Sequence, residues 1–291
     1  MAQPLLDAAA GLLGTGLRQG AVLGASDAAD LVARFGLASM DALMRALLPL
    51  AQSLARPSVS NFRVGAVGLE RRSGALVLGA NLEFSGTTMA ETVHAEQFLF
   101  ARAFHRGEIL ERVATSARPC GHCRQFMAEF AGRERLVVLD PEGDGASSLA
   151  ELLPHFFSPA DLGETGAEPV APALLDLALS EEAEVLRGLA SRAHAPYSRG
   201  GSAALLRLAD GVLVPGVAIE NVAYNPSFGA LQSALVNLVA AGGDPTKIRA
   251  ASFGAIDGPL DSEPRARQLL AAVAPAAAFR QMTWDAALST D

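Results

Sequence analysis

Hydrophobic and polar residues alternate over short stretches in the middle of the chain, a pattern typical of half-buried strands. Two such stretches, 62–70 (FRVGAVGLE) and 75–82 (ALVLGANL), flank a polar turn, so they predict a β-hairpin. An apolar segment and two further strand-like stretches follow. The predicted elements run β-β-α-β-α-β, at 62–70, 75–82, 94–105, 111–116, from Pro119 onward and at 136–140. This order indicates an α/β domain.

Leucines at helical spacings predict helices in residues 1–46, ahead of the α/β pattern. The stretch 20–26 (GAVLGAS) predicts a break between them. Asp41 is expected to cap a helix over 42–55, which Pro49 would kink or divide. We interpret this region as a packing or dimerisation cap.

The second half of the chain repeats the pattern of the middle region. Residues 189–224 follow 54–86 through a helix end, a proline, a Gly/Ser stretch and two strands, and Glu220 stands where Glu83 stands. A chance likeness between two hairpins is the alternative. Glycines and prolines between the copies indicate a linker. The predicted regions are a helical one at 1–46, an α/β domain at 47–150, a linker at 151–172 and a second copy at 173–291.

Composition narrows the functional classes. Half of the 291 residues are hydrophobic and 19% are charged, which allows a large core. The net charge of −8 disfavours nucleic acid as a partner, and two cysteines cannot form a disulfide framework. No uncharged apolar run reaches the ~18 residues of a membrane span, and the first residues lack the basic start of a signal peptide. We therefore expect a cytoplasmic protein with no membrane partner.

Candidate chemistry is concentrated in two segments, 93–104 (VHAEQFLFARAF) and 118–127 (RPCGHCRQFM). His-x-Glu followed by Pro-Cys-x-x-Cys is identified as the signature of zinc-dependent deaminases. The residue types agree with that chemistry. Cys120 and Cys123 share one helix face, and thiolates at a helix N-terminus are stabilised. With His94 they fill three tetrahedral positions, and the open fourth can hold water that Glu96 could deprotonate.

Two other interpretations of these cysteines remain open. A lone Cys-x-x-Cys can be a redox pair, although that would leave His94 and Glu96 without a role. A closed structural zinc site would need a fourth ligand. His122 is of the right type, but it lies between the cysteines, where its ring is expected to point away.

The chain resembles the cytidine deaminases at 60–66 (SNFRVGA), 79–84 (GANLEF), 92–97 (TVHAEQ) and 119–127 (PCGHCRQFM). The resemblance implies a three-layer α/β/α fold with a central mixed sheet, duplicated, behind a helical N-terminal region. It also implies zinc bound by His94, Cys120 and Cys123, with Glu96 as the proton shuttle. The substrate-binding positions that it implies are Phe62, Asn81, Glu83, Ala95 and Phe157.

The length and the second half make the chain resemble the dimeric bacterial type. In that half, 229–232 (GALQ) stands where the His-Ala-Glu motif would be, and no Pro-Cys-x-x-Cys follows. We interpret 47–150 as the catalytic domain and 173–291 as a degenerate, non-catalytic copy. The resemblance implies a homodimer with active sites at subunit interfaces, covered by the 224–228 loop of the partner. One departure is Arg118, where relatives often have Ser or Thr.

These observations predict zinc-dependent deamination of cytidine and 2′-deoxycytidine in pyrimidine salvage. One alternative is a deaminase of a nucleotide, a modified nucleoside or a nucleic-acid base. Nucleic-acid editing requires a basic groove and stacking aromatic residues, yet the chain has only 1 Trp, 2 Tyr and 13 Phe. The other alternative is a non-catalytic assembly module stabilised by zinc, in which Glu96 would have no role.

Overall fold

The strands form two mixed β-sheets in a computed structural model that describes residues 2–169, 174–176 and 181–285. Parts of the predicted linker and of the second copy lie outside these ranges. In chain order the strands are β1 (Val22–Leu23), β2 (Gly65–Glu70), β3 (Leu76–Ala80), β4 (Leu110–Thr115), β5 (Val137–Leu139), β6 (Ala146–Ser148), β7 (Ser202–Leu208), β8 (Leu213–Val217), β9 (Ile248–Ile256) and β10 (Ala278–Trp284).

The α-helices pack on both faces of these sheets. In chain order they are α1 (Ala2–Leu12), α2 (Gly16–Gln19), α3 (Ala25–Phe35), α4 (Met40–Ala46), α5 (Leu48–Gln52), α6 (Ala95–His105), α7 (Gly121–Met127), α8 (Leu149–Leu152), α9 (Glu182–Ala190), α10 (Ala230–Ala240) and α11 (Glu263–Val273). The predicted order β-β-α-β-α-β is confirmed by β2, β3, α6, β4, α7 and β5.

The first sheet has the strand order β1-β3-β2-β4-β5-β6, in which β4 and β5 are parallel and the other neighbours are antiparallel. Its edge strand β1 comes from the stretch that we predicted to be a break between helices. Val22 and Leu23 are buried there and pair with Val77 and Leu76 of β3. The N-terminal region is therefore partly built into the sheet, because two apolar residues suffice to extend an edge.

The second sheet repeats this topology. Its order is β10-β9-β7-β8, with β9 and β10 parallel, which matches β5-β4-β2-β3 of the first sheet. The register shift at Leu69/Glu70 recurs at Arg207/Leu208. The predicted duplication is confirmed.

Each sheet lies between helical layers. Helix α6 packs on β2 and β3, and α10 packs on β7 and β8, while α5 and α9 contact their own sheets from the opposite faces. All residues of α6 and α10 are buried, because these two helices also contact each other. The core therefore continues from one copy to the other through this central pair.

The helix predicted at 42–55 differs from the structure at its start and its middle. Ser39, rather than Asp41, caps α4, because its hydroxyl accepts a hydrogen bond from the Ala42 N–H at 3.2 Å. Asp41 instead forms an ion pair with Arg112 at 3.2 Å. The predicted helix is divided into α4 and α5, and Pro49 lies in the first turn of α5, where no N–H is needed.

Across the described part of the chain, the structure contains no helix with the length and apolarity required to span a bilayer.

Candidate metal and active site

Three side chains that bind transition metals converge at the N-termini of α6 and α7. The ligand atoms of His94, Cys120 and Cys123 all lie within 4.8 Å of one another. His94 Nδ1 is 3.3 Å from Cys123 Sγ and 3.6 Å from Cys120 Sγ. Zn–S and Zn–N bonds of about 2.3 and 2.0 Å at a tetrahedral angle require an N···S separation of about 3.5 Å. The three side chains therefore fit a zinc ion with a fourth position left open.

Local hydrogen bonds fix these ligands at the two helix starts. His94 is the residue before α6, and its N–H donates to Gln97 Oε1 at 3.0 Å. Cys120 has extended backbone angles and caps α7, so its sulfur lies 3.5 Å from the Cys123 N–H. Arg124 donates to the Pro119 carbonyl at 2.9 Å, which anchors the turn before the first thiol.

The two thiols act as a coupled pair with respect to protons. Hydrogen bonds from Cys123 and His94 lower the pKa of Cys120 to about 3. The hydrogen bond to Cys120, together with burial, raises the pKa of Cys123. The first shift favours a thiolate at Cys120 and the second favours a thiol at Cys123, and a bound cation would displace the protons shared among these sulfurs and His94 Nδ1.

Glu96 lies in the first turn of α6, two residues after His94. Its side chain is only 4% exposed, and burial raises its pKa. The nearby His94 opposes that rise. A carboxyl group with a raised pKa can both accept and donate a proton near neutral pH, as a proton carrier must.

His122 does not belong to the ligand cluster found among the described residues. Its Nε2 lies 3.2 Å from Gln97 Nε2, and its ring centroid is 5.9 Å from that of His94. The ring is held beside the start of α6, so the described part of the chain offers no fourth ligand for the closed site considered from the sequence.

Asn81 and Glu83 extend from the end of β3 on the same side. Glu83 Oε2 accepts the N–H groups of Val59 and Ser60 at 2.9 and 2.7 Å, and Oε1 accepts the Ser60 hydroxyl at 2.5 Å. Burial alone would raise the pKa of Glu83, but these hydrogen bonds outweigh it and lower the pKa. Asn81 bonds the Val64 N–H and the Phe62 carbonyl, both at 2.9 Å.

The other predicted substrate-binding residues differ in accessibility. Phe62 is 62% exposed and Phe157 is 44% exposed, although both are large apolar side chains. The Phe157 carbonyl accepts a hydrogen bond from Gln125 Nε2 at 2.7 Å, which ties it to the metal-site helix α7. Ala95 is fully buried at the first position of α6, so only its backbone could approach a ligand.

Glu129, which follows the metal-site helix and links it to the second copy, was not among the residues predicted from the sequence. Its buried carboxylate accepts hydrogen bonds from His194 Nε2, the Tyr197 hydroxyl and the Val222 N–H, each at 2.7 Å. A single acidic residue within the apolar stretch 126–131 (FMAEFA) was the available signal, because a buried charge requires partners. Those partners lie far along the chain.

Comparisons with known proteins agree with this site. A family model described as "Cytidine and deoxycytidylate deaminase zinc-binding region" matches residues 38–139, and a second model with the same description matches 149–253. A protein named cytidine deaminase from Serratia proteamaculans is 39% identical over 240 residues, covering 79% of each chain. The chain belongs to the cytidine deaminase family. A family member from Vibrio atlanticus is 40% identical over 80% of this chain and 79% of its own.

The family match fits Zn²⁺ as the cofactor, as does the cluster of His94, Cys120 and Cys123. The segment matched by the second model lacks the cysteine ligands, because both cysteines of the chain lie in the first copy. A solved cytidine deaminase from Mycobacterium tuberculosis is 30% identical over 40% of this chain and 95% of its own, with a TM-score of 0.35.

Proposed function

We propose that the protein hydrolyses cytidine and 2′-deoxycytidine to uridine and 2′-deoxyuridine with release of ammonia, a step of pyrimidine salvage. The observation that carries the proposal is the convergence of His94, Cys120 and Cys123 beside the buried carboxyl group of Glu96. Relatives named cytidine deaminase, about 40% identical over most of the chain, support this choice of substrate.

In this proposal, His94 Nδ1 and the two cysteine sulfurs hold the zinc ion. When bound there, zinc lowers the pKa of water from ~15.7 toward 7, so that a nucleophile is available at neutral pH. Gln97 Oε1 accepts a hydrogen bond from the backbone N–H of His94 at 3.0 Å, which fixes the backbone that carries the imidazole.

Glu96 carries the protons of the reaction. It takes one proton from the water whose oxygen adds to C4 of the pyrimidine and delivers it to N3. It then passes the second proton of that water to the amino group, which leaves as ammonia, and C4 becomes a carbonyl carbon. Burial raises the pKa of Glu96, which favours both the uptake and the return of a proton.

The substrate would be held from the side of β3. Glu83 is fixed by the turn at Val59 and Ser60, so its carboxylate can accept hydrogen bonds from ribose hydroxyls without rearrangement. Asn81 has the same proposed role and already orders the backbone around Phe62. Phe62 and Phe157 would pack against the pyrimidine, and the backbone of Ala95 would contact the base.

We further propose a homodimer in a reducing, cytoplasmic compartment. Phe62 and Phe157 are exposed apolar side chains beside the site, which a partner subunit would cover. The two free thiols are zinc ligands only while they stay reduced. In the homodimer, residues 47–150 would form the catalytic domain. Residues 173–291 would form the non-catalytic copy, which has no counterpart of the His94, Cys120 and Cys123 ligands.

Replacing Glu96 tests the proposal directly. Purified Glu96→Ala and Glu96→Gln should retain about one zinc per chain and lose kcat for cytidine by about 10²–10⁴-fold, the usual contribution of acid–base catalysis. The control is Glu134→Gln, a largely exposed carboxyl group far from α6 along the chain, which should change kcat less than about twofold. Normal turnover in both Glu96 variants would refute the role of Glu96.

The substrate class needs a separate measurement. Rates on cytidine, deoxycytidylate and a single-stranded oligodeoxynucleotide should be compared at one zinc loading. We expect the nucleoside to be the best substrate, since the net charge of −8 opposes polyanions. Zinc binding without turnover of any of the three would favour the assembly-module alternative.

A further inference from the structure

A cavity of about 590 Å³ lies in the second copy, outside the cluster of His94, Cys120 and Cys123. It is bounded by the start of α10, the start of α11 and the turn before β7. Apolar and aromatic side chains form much of its wall, including Phe228, Leu231, Phe253 and Leu260. Its size is within the roughly 300–1,000 Å³ range of small-molecule sites.

The cavity stands where the active site stands in the first copy. Glu220, on its wall, accepts the N–H groups of Tyr197 at 2.9 Å and Ser198 at 3.1 Å through Oε2. The equivalent turn holds Glu83 in the same way. The residue after each turn serine also repeats, since Asn61 and Arg199 have φ angles of 58° and 59°.

The second copy keeps the turn, and its carboxylate has fewer hydrogen-bond partners than the carboxylate of the first copy. In the first copy, Glu83 Oε1 also accepts the Ser60 hydroxyl at 2.5 Å. Among the described residues, Glu220 Oε1 has no such hydrogen bond, and Ala218 stands at the position of Asn81. A fixed carboxylate oxygen on a cavity wall is an acceptor for hydroxyl groups.

In the second copy, a glycine and a leucine stand at the positions of the metal-binding histidine and the glutamate of the first copy. Gly229 is the residue before α10, as His94 is before α6, and Leu231 stands where Glu96 stands. Both residues line the cavity. These positions of the second copy therefore supply neither a metal-binding imidazole nor a proton carrier, so a molecule bound in the cavity would not be deaminated.

The charges on the wall select against phosphorylated molecules. Three carboxylates, those of Glu91, Glu220 and Asp261, line the cavity with one guanidinium, that of Arg265. The charge of Arg265 is partly balanced within the wall, because its Nε lies 2.5 Å from Glu91 Oε1 and its Nη2 donates to the Ala90 carbonyl at 2.9 Å. Among the described residues that line the cavity, carboxylates therefore outnumber cations three to one, which disfavours a phosphate.

We propose that this cavity is a second, non-catalytic binding site for an uncharged nucleoside. Sugar hydroxyls donate to Glu220 Oε1, and the base packs against the apolar wall at Leu231 and Phe253. The choice of a nucleoside rests on the function proposed for the first copy, whereas the exclusion of phosphate rests on the cavity itself.

The test is the stoichiometry of uridine binding to the zinc-loaded, full-length protein, measured by calorimetry or equilibrium dialysis. We expect two equivalents per chain for the unaltered protein. Glu220→Gln should bind one equivalent, and the matched variant Glu83→Gln should also bind one, having lost the other site. Uridine 5′-monophosphate should bind the second site at least tenfold more weakly than uridine.

If the unaltered protein binds one equivalent of uridine and Glu220→Gln also binds one, the proposal is overturned. The same result is expected if a second copy of the chain covers the cavity, so that case also overturns it. Leu260→Ala provides an independent variant, since Leu260 is 72% exposed and its removal should not affect folding. It should weaken the second site several-fold. If Glu83→Gln changes neither binding nor turnover, the proposed function fails instead, so the two failures are distinguishable.

Discussion

The protonation of two cysteines illustrates how single residues decide what the site can bind. Cys120 caps a short helix and receives hydrogen bonds from Cys123 and His94, which lower the pKa of its thiol to about 3. Binding of a cation by both sulfurs and His94 Nδ1 would require release of the Cys123 proton and of the proton that His94 shares with Cys120. The sulfur and imidazole donors of these three side chains are ligand types that zinc prefers.

Removing one of these ligands should remove the metal. Cys120→Ala should lose zinc on dialysis against a chelator, with affinity lowered by more than the roughly 10–100-fold typical of residues that merely support ligands. The matched control is His122→Ala, which should retain about one zinc per chain because His122 lies outside the cluster. Full zinc in Cys120→Ala by metal analysis would contradict the assignment of that ligand.

At the scale of elements, two central helices lie unusually close to their strands. Gly79 of β3 faces the start of α6, where an added Cβ would lie 3.0 Å from the Ala95 carbonyl oxygen. Gly216 of β8 faces α10, where a Cβ would overlap the backbone of Ala234 and Ala230. The close approach lets α6 and α10 present His94 and Gly229 at equivalent places beside the two sheets.

Gly216→Ala should therefore destabilise the protein by about 1–3 kcal/mol, because backbone atoms cannot move aside as a flexible side chain would. Gly188→Ala is the matched control. Gly188 lies in α9 with nothing near its missing Cβ, so alanine there should stabilise by about 0.5–1 kcal/mol. Free energies of unfolding from urea titration measure both, and equal effects in the two variants would contradict the packing argument.

At the scale of the whole molecule, the two copies are joined by buried polar groups as well as by apolar packing. Arg102 of α6 is fully buried, donates to Asn237 Oδ1 at 3.0 Å, and has its pKa lowered to about 9 by burial. His105 of α6 lies 2.6 Å from the Ala101 carbonyl and accepts the Val217 N–H at 3.1 Å. These bonds require a neutral His105, since Nε2 must accept.

The neutral His105 predicts acid sensitivity. Burial lowers its pKa to about 4 from 6.5, so the unfolded chain takes up the proton first. The stabilisation is complete above pH 6.5 and is lost as the pH falls toward 4, amounting to about 2 kcal/mol between pH 7 and pH 5. In His105→Gln, the free energy of unfolding should therefore fall by about 2 kcal/mol less between pH 7 and pH 5 than in the unaltered protein.

The control for this measurement is His155→Gln, because His155 is exposed in the described structure. The free energy of unfolding of this variant should fall with pH as steeply as that of the unaltered protein. Any release of zinc at low pH would affect both variants alike. An equally steep decline in His105→Gln would show that another group carries the acid sensitivity.

Patterns along the chain were sufficient for β2 to β5, for the central helix α6 and for the repeat, because alternation and helix spacing are local properties. The Glu83 and Glu220 correspondence was also visible, since each acidic residue follows the same strand pattern. The motif at His94, Glu96, Cys120 and Cys123 predicted a metal site through a known signature.

Only the tertiary structure decided which distant groups meet. The start of α7 reaches His94 because both helices begin at the same edge of the first sheet, and this places the sulfur of Cys123 3.3 Å from the imidazole. The partners of Glu129, the edge strand at Val22 and the cavity beside Glu220 depend on packing between segments far apart in sequence. Local patterns leave such contacts undetermined, because many arrangements bury the same apolar faces.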